Sequence, residues 1–223
     1  DAVVGVGGGL VTDLAGFAAS VYHRGLPVIY VSTTLLGQID ASVGGKTGVN
    51  LLEGKNLVGT FWQPSAVLCD TEVLKTLPER EWRCGYGEMA KYELLGLSGL
   101  RLLDLTEQIA RCVELKADVV ARDERESGYR SILNYGHTLA HALEISEGFA
   151  LRHGEAVSIG LLYAAELAKR LGRINEARVE EHREVIAHHD LVDRLPSGVD
   201  AGSLVKLFSH DKKALDGTTF VLD

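Results

Sequence analysis

The run Asn134-Tyr135-Gly136-His137-Thr138-Leu139-Ala140-His141 carries two imidazoles four residues apart. On a helix that spacing places both rings on one face, one turn apart. Arg130 lies one further turn back, and Arg152-His153-Gly154-Glu155 opens the next helical segment. An antiparallel pair of helices would bring His153 toward His137. Glu88, in Gly87-Glu88-Met89-Ala90-Lys91, adds a carboxylate at the start of another helix. Two imidazoles and a carboxylate with one position left open form a set for a catalytic Zn²⁺. The pattern is not H-E-x-x-H, so no metalloprotease is implied. The plainer reading is a helical His pair in the core or on the surface. Glu88, Asn134, Arg130 and Lys91 weigh toward a site. His182, His188, His189 and His210 lack such company and are expected at the surface.

A second group suits anions. Gly5-Val6-Gly7-Gly8-Gly9 follows a β-branched run and precedes a helical one, the arrangement that presents backbone N–H groups to a diphosphate. The dinucleotide fingerprint would need Gly at position 10, where Leu10 stands, so a tight turn from strand to helix explains the spacing equally well. Gly44-Gly45-Lys46-Thr47-Gly48 resembles a phosphate loop, but Asp40 occupies the position where that pattern needs Gly. A nucleoside triphosphatase is therefore disfavoured. Lys46 with bare backbone beside Asp40 still suits a phosphate or sugar, and Gly54-Lys55-Asn56 repeats that chemistry. Either segment could instead be a solvated loop. Lys116, in Glu114-Leu115-Lys116-Ala117-Asp118, and Asp211-Lys212-Lys213 read singly as solvated charges.

The elements that must position these residues fall into two textures. Ala2–Val6, Val28–Val31 and Ala66–Leu68 are short apolar runs, and Leu10–Val21 between the first two has helical spacing. Apolar strands alternating with a helix predict a parallel sheet covered on both faces. From Pro78 the periodicity turns to 3.6, predicting helices over Glu79–Leu95, Thr106–Ala121, Ile132–Glu147, Glu155–Leu171, Asn175–His188 and Ala201–Ser209. The expected fold class is α/β: a partial Rossmann-like parallel-sheet domain over 1–77, then an all-α domain over 78–223. The chain opens on a strand without Met and ends on Thr219-Phe220-Val221-Leu222, which reads as a strand awaiting a partner. That predicts a piece of a longer protein, truncated at both ends.

Composition limits the class. Lys+Arg 23 against Asp+Glu 31 gives a net charge of −8, which argues against a general nucleic-acid binder. Hydrophobic residues at 46% and charged residues at 24% are ordinary globular values, so disorder is excluded. No apolar run reaches the ~20 residues of a membrane span. Cys69, Cys84 and Cys112 are odd in number and widely spaced, which suits reduced thiols of the cytoplasm. Glycine is the unusual entrant, 25 residues against 4 Pro.

Taken together, the motifs resemble the 3-dehydroquinate synthase family of the sugar-phosphate cyclase superfamily. The matching segments are Gly7-Gly8-Gly9 with Asp13, Thr33-Thr34-Leu35-Leu36, Asp40 to Gly48, Gly54-Lys55-Asn56 and Gly87-Glu88-Met89-Ala90-Lys91. Arg130 to His141, His153-Gly154-Glu155-Ala156-Val157 and Asp211-Lys212-Lys213 follow in order. The resemblance covers nearly the whole chain. It implies NAD- and metal-dependent cyclisation of 3-deoxy-arabino-heptulosonate 7-phosphate to 3-dehydroquinate with loss of phosphate, a lyase step of the shikimate pathway. It implies metal ligands Glu88, His137 and His153, for Zn²⁺ or Co²⁺. It implies NAD contacts from Gly8, Gly9, Asp13, Thr33, Thr34, Asp40, Lys46, Lys55 and the stretch Val73, Leu74, Lys75 and Thr76. Substrate would be held by Arg24, Lys46, Asn56, Lys91, Lys116, Arg130, Asn134, His141 and Lys212, with Lys91, His141, Lys116 and Asp40 catalytic. Family members use the counterpart of Arg24 across a dimer interface, so a homodimer is expected.

The same residues are compatible with three alternatives. A related cyclase of secondary metabolism would make an amino-dehydroquinate, a valiolone or a deoxy-inosose; Arg130 and Asn134, suited to a carboxylate-bearing substrate, favour dehydroquinate or its amino analogue. A metal-dependent polyol or glycerol-phosphate dehydrogenase would accumulate NADH. A truncated, non-catalytic domain would bind NAD or metal without turnover.

Overall fold

The computed structural model describes residues 1–51, 54–146, 151–208 and 221–223, with backbone alone at 54–55. Two compact units emerge, Asp1–Gly85 with Gly99–Arg130, and Tyr86–Ser98 with Ser131–Asp223.

In the first unit, β1 (Val3–Gly7), β2 (Val28–Ser32) and β5 (Ala66–Leu68) form a parallel sheet in the order β1-β2-β5. The register pairs Val3 with Val28 and Ile29 with Ala66. Helix α1 (Gly9–Val21) crosses between β1 and β2, which is why they run parallel. Ala19, Val28 and Tyr30 form its core, with Val3, Ala15, Trp62 and Val67 packed around them. This is the parallel α/β arrangement the apolar runs predict, but not the cover on both faces, since Val4 and Val6 of β1 are 57% and 60% exposed and Leu68 of β5 is 53% exposed.

Two strands escaped the sequence reading. β3 (Lys46–Leu51) and β4 (Gly54–Phe61) pair antiparallel, Lys46 opposite Phe61 and Gly48 opposite Gly59. The candidate loops around Lys46 and Lys55 are therefore strand backbone. Their Gly, Lys, Thr and Asn content hides the alternation that marks a strand.

Helix α3 (Leu105–Arg122) also belongs to this unit. Asp104 caps it, accepting from the Glu107 N–H at 2.9 Å. Its buried face, Ile109, Cys112, Lys116 and Val119, packs on the π-helical turn Gly37–Ala41. The division differs from the expected boundary at Leu77-Pro78, because helical periodicity reveals a buried face without saying which element covers it.

The second unit holds helices and connecting segments, with no strand among its described residues. It holds the later turns of α2 (Glu79–Leu94), then α4 (His137–Ser146), α5 (His153–Arg170), α6 (Glu176–His188) and α7 (Ala201–Phe208). Leu94, Tyr135, Leu139, Leu143, Val157, Leu161, Ile186 and Phe208 are among its core, and Val221 and Leu222 pack against it. Thr219 and Phe220 of the expected terminal strand lie outside the described residues, and Val221–Asp223 are not in a strand. Most predicted helices agree within two residues. Ile132–Glu147 does not: Tyr129–Asn134 forms a 3₁₀ segment, Gly136 turns left-handed at φ 77°, and α4 starts at His137. Arg130 is therefore not on the helix of His137 and His141.

His182 and His189 depart from the expected surface positions: His182 is buried, and His189 is half-buried with its side chain only 7% exposed. His182 has no exposed surface; its Nε2 meets Tyr135 Oη at 2.6 Å and its Nδ1 the Arg178 carbonyl at 2.7 Å. His189 stacks on Tyr86, ring centroids 5.3 Å apart, with Glu93 Oε2 at 3.5 Å from its Nε2. His210 lies outside the described residues. No described helix is long and apolar enough to cross a membrane.

Candidate metal centre and anion-binding residues

The candidate residues form two groups, one in each compact unit. In the helical unit, Glu88, His137 and His153 each present one donor atom, all within 4.8 Å of one another. Glu88 Oε1 lies 3.3 Å from His137 Nε2 and 3.1 Å from His153 Nε2. Three different helices supply these atoms. Their closeness depends on glycine: a Cβ on Gly87 would sit 2.4 Å from the Gly154 carbonyl oxygen, and one on Gly160 2.0 Å from that of Gly136. The Glu155 carboxylate accepts from the Arg152 N–H at 2.8 Å and anchors the first turn of α5, where His153 stands.

Each imidazole is held from behind. His137 Nδ1 is 3.0 Å from the Tyr135 carbonyl oxygen, which can only accept, so Nδ1 carries a hydrogen and Nε2 is the ring nitrogen that faces Glu88. His153 Nδ1 faces Glu144 Oε2 at 3.5 Å. Burial alone would raise the Glu88 pKa, but Lys91, then His137 and His153, outweigh it and hold the carboxyl well below its ordinary range. Burial likewise disfavours a charged His153; Glu144 and Glu88 on either side overcome this and raise its pKa to about 10. Two imidazole nitrogens and a buried carboxylate oxygen, with ring N–H groups engaged behind, are a donor set that fits a divalent cation.

Lys91 ion-pairs with Glu88 Oε2, and both side chains are buried, so the pair is not the surface i,i+3 contact that spacing alone permits. His141 is not one of the three donors; its ring stands edge-on to His137 at 5.4 Å and keeps an exposed edge. Desolvation by surrounding atoms, then the neighbouring His137 and His153, lowers its pKa to about 4, so it is neutral near pH 7. Asn134 is half-buried just before Tyr135.

The α/β unit gathers the other group. Lys116 Nζ donates to the Asp40 carbonyl at 2.6 Å and to Asp40 Oδ1 at 2.7 Å. Asp13, on α1, joins them electrostatically: burial, reinforced by Asp40 and opposed by Lys116, raises its pKa to about 7. Arg130 is buried and donates from Nη1 to the Glu124 carbonyl at 2.5 Å. Its backbone N–H and those of Ser127 and Gly128 all donate to the Asp123 carboxylate, which is held far below its usual range. Lys46 Nζ meets Glu126 Oε2 at 2.6 Å.

Gly8, the N-cap of α1, has no side chain to occupy the first N–H groups, which suits an approaching diphosphate. Thr33 and Thr34 follow β2, and Thr34 Oγ1 accepts from the Gly37 N–H at 3.0 Å. In the 3₁₀ segment Thr71–Thr76, Leu74 is buried in protein and Lys75 pairs with Glu72. Neither of those side chains is shaped for a ligand, so this stretch would offer backbone. Arg24 is exposed with φ 66°, and Asn56 is exposed with φ 56°. Lys212 lies outside the described residues, as does the side chain of Lys55.

Glu144 behind His153, Asp123 on the Arg130 N–H and Tyr135, whose carbonyl oxygen faces His137, were given no role by motif reading. Glu144 alone had a signal: it stands seven residues after His137, two turns along the same helical face.

Comparison with known proteins places this geometry. A family model for the 3-dehydroquinate synthase N-terminal region matches residues 1–84, and one for its C-terminal region matches 85–214. A candidate aminodehydroquinate synthase of Amycolatopsis mediterranei is 56% identical over 100% of this chain and 63% of its own length. A 3-dehydroquinate synthase of Cereibacter sphaeroides is 48% identical over 97% of this chain and 64% of its own. The crystal structure of 2-deoxy-scyllo-inosose synthase complexed with carbaglucose-6-phosphate, NAD⁺ and Co²⁺ superposes with a TM-score of 0.91 at 33% identity. It is matched over 99% of this chain and 66% of that one. This chain thus spans somewhat under two thirds of the length of the curated relatives it matches. With a strand-and-glycine unit and a helical unit both matched in order, the chain belongs to the 3-dehydroquinate synthase family.

Proposed function

We propose that this chain carries the reaction of a 3-dehydroquinate synthase, converting 3-deoxy-arabino-heptulosonate 7-phosphate to 3-dehydroquinate and phosphate as a carbon–oxygen lyase. The observation that carries the reading is the convergence of Glu88, His137 and His153 from three helices in a chain of this family. When bound, NAD reversibly withdraws a hydride from a ring hydroxyl carbon and a divalent cation polarises the neighbouring oxygens, so phosphate leaves by elimination without net NADH.

This chain's residues do the rest. Glu88, His137 and His153 hold the cation, read as Zn²⁺ or Co²⁺. Gly8, Gly9, Asp13, Thr33, Thr34, Asp40, Lys46, Lys55 and the Val73–Thr76 backbone hold NAD on the α/β unit. Lys46, Lys116, Arg130 and Lys212, with Asn56 and Asn134, meet the phosphate and carboxylate of the substrate, an anion load that calls for several cations even in a chain of net charge −8. Lys91 sets its ammonium against oxyanion charge beside the cation. His141, neutral near pH 7, accepts a proton beside His137. Asp40 orients the Lys116 ammonium through their ion pair. Arg24 completes the site of a second subunit in a homodimer, and the reaction runs in the cytoplasm.

Phosphate release from the heptulosonate phosphate, with and without chelator, tests the proposal. Chelator-sensitive release with no rise at 340 nm is expected. A rise proportional to product would place the protein among dehydrogenases instead.

The 56% identity to the Amycolatopsis relative favours one second reading, an amino-dehydroquinate product. Relative turnover of the heptulosonate phosphate and its amino analogue decides between the two, and turnover of sedoheptulose 7-phosphate would point to neither.

A further inference from the structure

We infer that Glu144 is a positioning residue for the metal centre: its carboxylate holds the Nδ1–H of His153 and so aims Nε2 at the space bounded by Glu88 and His137. The inference rests on the metal reading above.

His137 and His153 are built alike up to one difference. Each turns Nε2 toward Glu88 Oε1, at 3.3 and 3.1 Å. Behind His137 stands a neutral backbone carbonyl, that of Tyr135 at 3.0 Å. Behind His153 stands a charged side chain, Glu144 Oε2 at 3.5 Å. Glu144 is only 7% exposed, and a buried carboxylate is costly unless it is paired. The His153 imidazole is a partner oriented to meet it. A carboxylate behind a ligating imidazole fixes its tautomer and ring angle and raises its basicity. Helix geometry explains the placement. Glu144 lies two turns beyond His137 on α4, and α4 packs directly against α5, which begins at His153. One helix thereby supplies a ligand at its first residue and the support of the second ligand at its eighth.

The test measures metal rather than turnover. Zn²⁺ affinity is determined by chelator competition for the wild-type protein, Glu144→Ala, Glu144→Gln and Glu88→Gln, alongside the visible spectrum of each with Co²⁺. Glu144→Ala should bind Zn²⁺ about 10- to 100-fold more weakly, with an altered Co²⁺ spectrum. Glu144→Gln should lose less, because its amide oxygen still accepts the Nδ1–H while the charge is gone. If the alanine variant fails to fold, the glutamine variant decides. Zn²⁺ affinity within twofold of wild type and superposable Co²⁺ spectra in the Glu144 variants overturn the inference, even if their thermal stability falls. Wild-type protein that takes up no Zn²⁺, or Glu88→Gln that binds it normally, overturns the metal reading and this inference with it.

Discussion

Two Glu–Lys pairs in this molecule share one spacing and differ in almost everything else. Glu72–Lys75 and Glu88–Lys91 are both i,i+3 pairs, and motif reading singled out both lysines. Lys75 Nζ lies 2.6 Å from Glu72 Oε2 with the side chains 70% and 71% exposed. The Lys91–Glu88 pair has side chains 2% and 0% exposed. The first sits on a 3₁₀ segment that buries only Leu74. The second sits where Gly87 lets α5 come within van der Waals reach of α2. An exposed pair contributes about 0–1 kcal/mol, because water and salt already screen both charges. Inside, neither charge can be left alone, and that same dryness makes an ammonium effective against developing negative charge. Spacing thus proposes a pair, and depth decides what it does.

The largest break in the comparison should come from Lys91→Ala. Turnover is expected to fall about 100- to 1000-fold, equivalent to about 2.7–4 kcal/mol of lost transition-state stabilisation. Spacing alone suggests that folding would be spared. Burial revises this: Lys91 is the largest of the charges that hold buried Glu88 ionised, and its loss leaves only His137 and His153, so metal-free stability should also drop, by at most about 3–5 kcal/mol in urea denaturation. Saturating Zn²⁺ should restore part of that loss. Near-normal turnover and metal content would show that the pair is only structural.

Gly87→Ala attacks the cause of the burial. Its methyl would meet the Gly154 backbone, so overpacking should cost about 1–3 kcal/mol, and Zn²⁺ uptake should weaken as α2 moves from α5. Unchanged metal affinity in calorimetric titration would mean the helices need not be this close.

A buried neutral pair extends the contrast. Burial lowers the pKa of His182 below its usual 6.5, with its ring between Tyr135 Oη and the Arg178 carbonyl. The unfolded chain binds a proton more readily, so this site's contribution is fully present above pH 6.5 and is lost progressively as pH falls below that value toward the lower folded pKa. Denaturation midpoints between pH 7.5 and 5 should fall more steeply for wild type than for His182→Gln. Parallel curves would show that His182 charges freely in the fold.

The smallest effect belongs to Lys75→Ala. Stability should change by less than about 0.5 kcal/mol, and 1 M salt should abolish even that. A loss of NAD affinity beyond twofold would show that the side chain, and not only the backbone, serves the cofactor.

What could be read in the linear chain was whatever one helix or one strand settles by itself. The parallel strands announced themselves as apolar runs. Glu88 with Lys91, and His137 with His141, were paired by helical period alone. The β3–β4 pair was invisible because glycine and polar residues break the alternation of a strand. The boundary of the predicted Ile132–Glu147 helix failed at Gly136, whose left-handed φ of 77° comes with a backbone approach to Gly160 that no local pattern records. Packing partners were never in the sequence at all. Whether α3 lies on the sheet unit, whether the His182 and His189 rings leave the surface, and whether Glu144 stands behind His153 depend on which helix faces meet. That choice is made by summing many weak apolar contacts over distant segments, so a charged residue's spacing to its sequence neighbours does not determine its final surroundings.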